Sequence, residues 1–198
     1  MHGEIEAYFR TLGAFGGKIE ATDRAGERLT LAAAGAAALE AAARTKRDRT
    51  RVFFIGNGGS AGICSHQATD WLRNGGFAAT ALNDGAALTC LGNDLGFDQV
   101  FAKQLQMHGR TGDLLIAISS SGNSPNILKG VEAARAASMH VLTLSGFKPD
   151  NKLRRLGDVN FYVPSDRYGW VEIAHLALCH AILDVSMGMS GVSERAAE

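Results

Sequence analysis

The residues equipped for chemistry in this chain fall into two groups. The first is the run Ser119-Ser120-Ser121-Gly122-Asn123-Ser124-Pro125-Asn126, with four hydroxyls and a glycine in its first six positions. It follows Asp113-Leu-Leu-Ile-Ala-Ile118, an apolar run with the length of a buried strand. It precedes an amphipathic stretch at 127–137 that reads as a helix. At such a junction the free N–H groups of the first helical turn and the positive end of the helix dipole face outward, which suits a phosphate. Pro125 fits the first helical position, where no N–H is needed. A plain N-cap in a serine-rich turn is the simpler alternative, but one serine would serve for that, and four favour an anion site.

The second group is made of imidazoles and carboxylates. His66 and Asp70 are four residues apart and share one helix face. A final helical stretch carries Glu172, His175 and His180. Around that helix Glu172 and His180 are roughly 80° apart, and His175 and His180 roughly 140°. The simplest constellation is therefore His66, Asp70, Glu172 and His180, which can bind zinc or a similar divalent ion, or relay protons. Two buried histidine–carboxylate hydrogen bonds are the alternative. Between the groups, Gly56-Asn57-Gly58-Gly59-Ser60 lets a ligand approach the backbone closely, with Ser60 placed to cap the next helix. Its spacing is neither that of a dinucleotide loop nor that of a P-loop. In the turn Gly92-Asn93-Asp94-Leu95-Gly96-Phe97, Asn93 and Asp94 either cap the following helix or place Asp94 against a sugar hydroxyl.

The elements that must position these groups alternate. Residues 5–15 and 20–44 read as helices, the second rich in alanine and leucine with a narrow small-residue face. Strand-like runs follow at 51–55, 78–82, 113–118, 140–144 and 159–163, and helix-like segments at 61–74, 97–107, 127–137 and 169–187. This alternation predicts an α/β fold with a five-stranded parallel sheet covered on both faces. A single domain over 1–198 is expected, with N-terminal helices in 1–48 and an α/β core in 51–187. Ligands in such sheets sit at the carboxyl ends of the strands. The glycine loop, Asn83-Asp84-Gly85, the serine run and Ser145-Gly146 all fall there.

Composition narrows the function classes. The 198 residues carry 20 basic and 20 acidic side chains, so no excess of cations marks a nucleic-acid surface. The basic cluster at 44–51 reads as a solvated helix end. No apolar run reaches about 18 residues, and the amino terminus has no signal-peptide pattern, so no membrane partner and a cytoplasmic location are expected. Cys64, Cys90 and Cys179 are scattered and read as small buried hydrophobes in a reducing compartment.

Three segments together resemble the SIS (sugar isomerase) domain family and its phosphoheptose isomerase branch. They are GNGGSAGICSHQATD at 56–70, LTCLGNDLGFDQVFAKQ at 88–104 and GDLLIAISSSGNSPNIL at 112–128. The resemblance implies a flavodoxin-like three-layer sandwich, a homotetramer with sites built from more than one subunit, and aldose–ketose isomerisation of sedoheptulose 7-phosphate. By the family pattern Ser119, Ser121 and Ser124 bind the phosphate, with Ser120 between them. The loop residues Asn57, Gly58 and Ser60 meet the sugar, and Asp94 lies near it. His66, Asp70, Glu172 and His180 form the metal and acid–base set, with Asp70 as base and His180 as the second acid–base group. Asp70 stands where the family has Glu, and Glu172, also next to the substrate, where it has Gln. Two alternatives stay open: a non-catalytic module that binds a sugar phosphate or a protein, and an isomerase of a different sugar phosphate.

Overall fold

The computed structural model describes residues 3–189. Five parallel strands form its centre: β3 (Arg51–Gly56), β4 (Ala78–Ala81), β5 (Leu114–Ser119), β6 (His140–Ser145) and β7 (Val159–Tyr162). The sheet has seven strands and not five, because β1 (Glu20–Asp23) and β2 (Arg28–Leu29) extend it antiparallel beyond β7, in the order β2-β1-β7-β6-β5-β3-β4.

Those two strands replace the first third of the helix expected at 20–44. Asp23 closes a turn, its N–H donating to the Glu27 carbonyl and its carboxylate accepting from the Glu27 N–H. Helix α2 (Leu31–Arg47) begins only after Thr30, whose hydroxyl accepts from the Ala33 N–H at 3.1 Å. The reason is tertiary. The fully buried Asn160 of β7 donates to the carbonyls of Thr22 and Asp23, so β1 satisfies an edge that would otherwise stay open.

Side chains alternate across the strands and divide the core in two. Val52 and Phe54 of β3, with Leu114, Ile116 and Ile118 of β5, pack against α2, α3 (Gly59–Arg73) and α7 (Tyr168–Ser186). Phe53, Ile55, Leu115 and Ala117 pack on the opposite face, against α5 (Val100–His108) and α6 (Pro125–Ala136). The small-residue face of α2 is real: Ala34, Ala38 and Ala42 are fully buried at one-turn spacing.

Helix α1 (Glu4–Gly13) matches the first expected helix closely. Helix α4 (Gly85–Leu95) was not foreseen, and it absorbs Asn93 and Asp94 into its last turn. They therefore do not cap the next helix; Gly96, at φ +92°, breaks the chain instead, and a short 3-10 turn leads into α5. Two of the cysteines are buried as expected, but Cys90 on α4 is exposed. No helix among the described residues is long and apolar enough to cross a membrane.

Candidate active site

In the parallel part of the sheet β3 lies between β4 and β5, so the chain leaves β3 and β5 on opposite sides. A crevice opens at the carboxyl ends of such a pair. Here β3 ends in the glycine loop and β5 in the serine run. Together with the start of α7 they line a cavity of about 220 Å³, formed by Asn57, Gly58, Gly59, Ser60, Ser119, Ser120, Ser121, Ser124, Tyr168 and Glu172.

The serine run is folded back on itself. The Ser119 hydroxyl accepts from the Gly122 N–H at 3.1 Å and lies 3.5 Å from the Ser124 hydroxyl. Gly122 is required there: its φ is +63°, and a Cβ would stand 2.8 Å from the Asn151 Cβ. Pro125 opens α6, as its sequence position suggests. Ser124 is the N-cap residue, yet its hydroxyl makes no capping bond, which leaves it directed to the cavity it lines. Ser120 is buried, and its hydroxyl has no hydrogen-bond partner among the described residues.

The glycine loop turns tightly into α3. A Cβ on Gly56 would stand 2.7 Å from the Ser60 carbonyl, so only glycine fits. Helix α3 starts at Gly59 with Gly58 as its cap residue, so Ser60 sits one residue inside the helix, buried, and does not cap it. Asn57 and Asn126 exchange two amide hydrogen bonds of 2.9 and 2.8 Å, which tie this loop to α6. Asn126, Gly59 and Tyr168 were not singled out from the sequence. Only the tertiary pairing of the two loops and the start of α7 gives them a place.

The second group of residues assembles in part. His66 and Asp70 on α3 meet His180 on α7, with His66 Nε2 3.3 Å from both Asp70 Oδ2 and His180 Nε2, and His180 Nδ1 3.9 Å from Asp70 Oδ2. One ligand atom from each lies within 4.8 Å of the others. An ion with bonds of about 2.0–2.1 Å in tetrahedral array holds its ligand atoms about 3.3 Å apart. The donor set and its spacing fit a zinc-like ion.

Glu172 is not part of that trio. It stands eight residues before His180 on α7, a rise of about 12 Å, so the four side chains of one chain do not converge. The 80° rotation read from the sequence is right, but the rise separates the two. The Glu172 carboxylate instead covers Gly59, where a Cβ would stand 2.6 Å from its Cδ. Asp94, unlike Glu172, does not line the cavity; it is exposed on α4, accepting from Cys90 Sγ at 3.7 Å and from its neighbour Asn93 at 2.8 Å. His175, left aside because of its angle, is fully buried, with Nε2 3.1 Å from the Ser145 carbonyl. Burial lowers its pKa to about 4.

The comparisons with known proteins bear on the fold and the family. The family model for the SIS domain matches residues 19–146. A phosphoheptose isomerase from Dechloromonas aromatica is 37% identical over 162 residues, covering 78% of this chain and 83% of the relative. One from Bordetella avium is 41% identical over 145 residues, covering 68% and 72%. Among solved structures, a phosphoheptose isomerase from Neisseria gonorrhoeae superposes with a TM-score of 0.81 at 33% identity, covering 93% of this chain and 97% of that one. On the fold, the serine and glycine loops and these likenesses together, the chain belongs to the SIS domain family and, within it, to the phosphoheptose isomerases, which are aldose–ketose isomerases.

Proposed function

We propose that this chain interconverts sedoheptulose 7-phosphate and D-glycero-D-manno-heptose 7-phosphate through an enediol(ate). The observation that carries the proposal is the cavity between the serine run and the glycine loop, at the strand ends where a phosphorylated sugar would be held. Ser119, Ser121 and Ser124 offer hydroxyls to the phosphate, and the start of α6 adds its dipole. The Asn57 amide is committed to Asn126, so Gly58, Gly59 and Ser60 meet the sugar mainly through backbone. Asp70 removes the proton from the carbon next to the carbonyl, and His180 moves the proton on oxygen, roles open to each side chain only while it is not a metal ligand. The two approach each other with His66 between them but lie outside the lining of their own chain's cavity, so they meet one sugar only in a site shared between copies.

A zinc-like ion would be held by His66, Asp70 and His180. When bound it would act as a Lewis acid on substrate oxygens. The single-chain trio leaves room for a further donor, and Glu172 can supply it only from a second copy. A donor from a second copy requires sites shared between subunits, as in the homotetramer we propose. The exposed apolar side chains of Ile5, Phe9, Leu31, Ile173 and Val185 on α1, α2 and α7 form a surface suited to that assembly. Three free cysteines suit a cytoplasmic location.

The test is turnover of sedoheptulose 7-phosphate followed by NMR, with metal content measured on the same samples. Asp70→Asn and His180→Ala are each expected to abolish isomerisation and leave the circular dichroism spectrum unchanged. Undiminished turnover in both variants would sink the mechanism.

A further inference from the structure

The two strands that end at the serine cavity begin at another one. Between the amino ends of β3 and β5 lies a cavity of about 350 Å³ lined by Arg49, Thr50, Arg51, His108, Arg110 and Asp113. The six residues of β3 place it about 17 Å from the glycine loop. It is separate from the candidate active site.

The charge in this cavity is unbalanced. Three arginines face one aspartate, which leaves two positive charges with His108 neutral, in a chain whose totals cancel. Asp113 is buried and its carboxylate is already engaged: Oδ1 accepts from the Arg51 N–H and Oδ2 from the Arg110 N–H, both at 2.8 Å. Among the described residues none of the three arginines forms an ion pair. The walls are held in place nonetheless. Arg110 Nη1 donates to the carbonyls of Met107 and Gly109, and the Thr50 hydroxyl donates to the Gly112 carbonyl, joining the two loops.

Arg49 supplies an independent observation. It closes the carboxyl end of α2, where the Thr50 N–H returns to the Thr45 carbonyl, and its φ is +54°. Glycine adopts that left-handed conformation with least strain and is the usual residue at such a helix end. Arginine there gives up stability, and what it adds is a guanidinium at the cavity.

We infer that this cavity is a second anion site, which takes a small phosphorylated molecule carrying two or more negative charges. Guanidinium groups match phosphate oxygens in paired hydrogen bonds, which a lone ammonium does not. The concave shape and volume suit a small molecule. Beyond the hollow, Arg44 and Arg47 of the basic cluster pair with Glu40 and Asp48, which leaves little of the free basic stripe that an extended nucleic acid needs. β3 and β5 run side by side from this site to the glycine loop and the serine run.

The test uses inorganic pyrophosphate as the probe, with the full chain at 150 mM salt and binding read by calorimetry. A Ser119→Ala/Ser124→Ala background mutes the serine cavity. In that background pyrophosphate is expected still to bind, and adding Arg49→Gly and Arg51→Gln is expected to weaken it at least tenfold. Arg49→Gly alone is expected to raise the melting temperature while weakening binding. Equal affinity with and without the two arginines would overturn the inference, as would binding that requires the intact serine run. A lower melting temperature for Arg49→Gly would do the same, as would a single-stranded oligonucleotide that binds more tightly than pyrophosphate and competes with it.

Discussion

Gly59→Ala tests the coupling between the glycine loop and Glu172. A Cβ at position 59 would stand 2.6 Å from both Glu172 Cδ and Oε2, where nonbonded contacts settle at about 3.5 Å. The carboxylate must therefore retreat by about 1 Å. It is the far end of a flexible side chain, so the fold absorbs the change easily. Alanine in place of glycine at the start of α3 should even stabilise it, by a few tenths to about 1 kcal/mol. Catalysis is less tolerant, since a misplacement of about 1 Å can cost on the order of 100-fold in rate, or about 2.7 kcal/mol of transition-state stabilisation. The assay is a double-mutant cycle in kcat/KM with Glu172→Ala, run beside thermal melts. Gly59→Ala should slow the wild type on the order of 100-fold, leave the melting temperature level or higher, and have no further effect once Glu172 is truncated. Turnover within twofold of wild type would refute the reasoning, and so would an equal loss in the Glu172→Ala background.

Two other perturbations probe what surrounds the site. His175 is fully buried and has its pKa lowered to about 4 from the ordinary 6.5, so the unfolded chain takes up the proton first as pH falls. Its contribution is fully present above pH 6.5 and is lost between 6.5 and about 4, a change on the order of 3 kcal/mol. Denaturation midpoints of wild type and His175→Gln should therefore diverge over that window, and parallel curves would contradict it. Asn126→Ala removes both bonds to Asn57 and the one from the Ile127 N–H, and should cost about 2 kcal/mol by urea melts. With the glycine loop untied from α6, KM should rise more than kcat falls, which steady-state kinetics would show.

The strand-to-helix junctions were legible because each apolar run has a length and a boundary that admit little else. The five runs from position 51 onward became the parallel strands, and the serine and glycine loops fell at their carboxyl ends. Local preference misled at 20–29, where an alanine-rich neighbourhood suggested helix. The chain there pairs with β7, and Asn160, 137 residues from Asp23, holds it. Helix α4 was hidden for a related reason. Its Gly-Asn-Asp residues look like a turn, and packing of Leu88 and Leu91 on the core keeps them helical.

The amino-acid sequence alone determined the fold class, the family and the place of the serine run, because those depend on residue types over short stretches. The serine run needs only its strand, its helix and its glycine to be recognised. Three decisions belonged to the tertiary structure. His66, Asp70 and His180 converge because α3 and α7 pack side by side on one face of the sheet. Glu172 rests on Gly59 because α3 starts beside the start of α7 and Gly59 has no side chain, while its separation from His180 is a helical rise that spacing alone gives. The basic cavity at the opposite edge exists because β3 and β5, 62 residues apart in sequence, begin as neighbours. Spacing along a chain fixes angles around one element, and distances between elements follow only from how they pack.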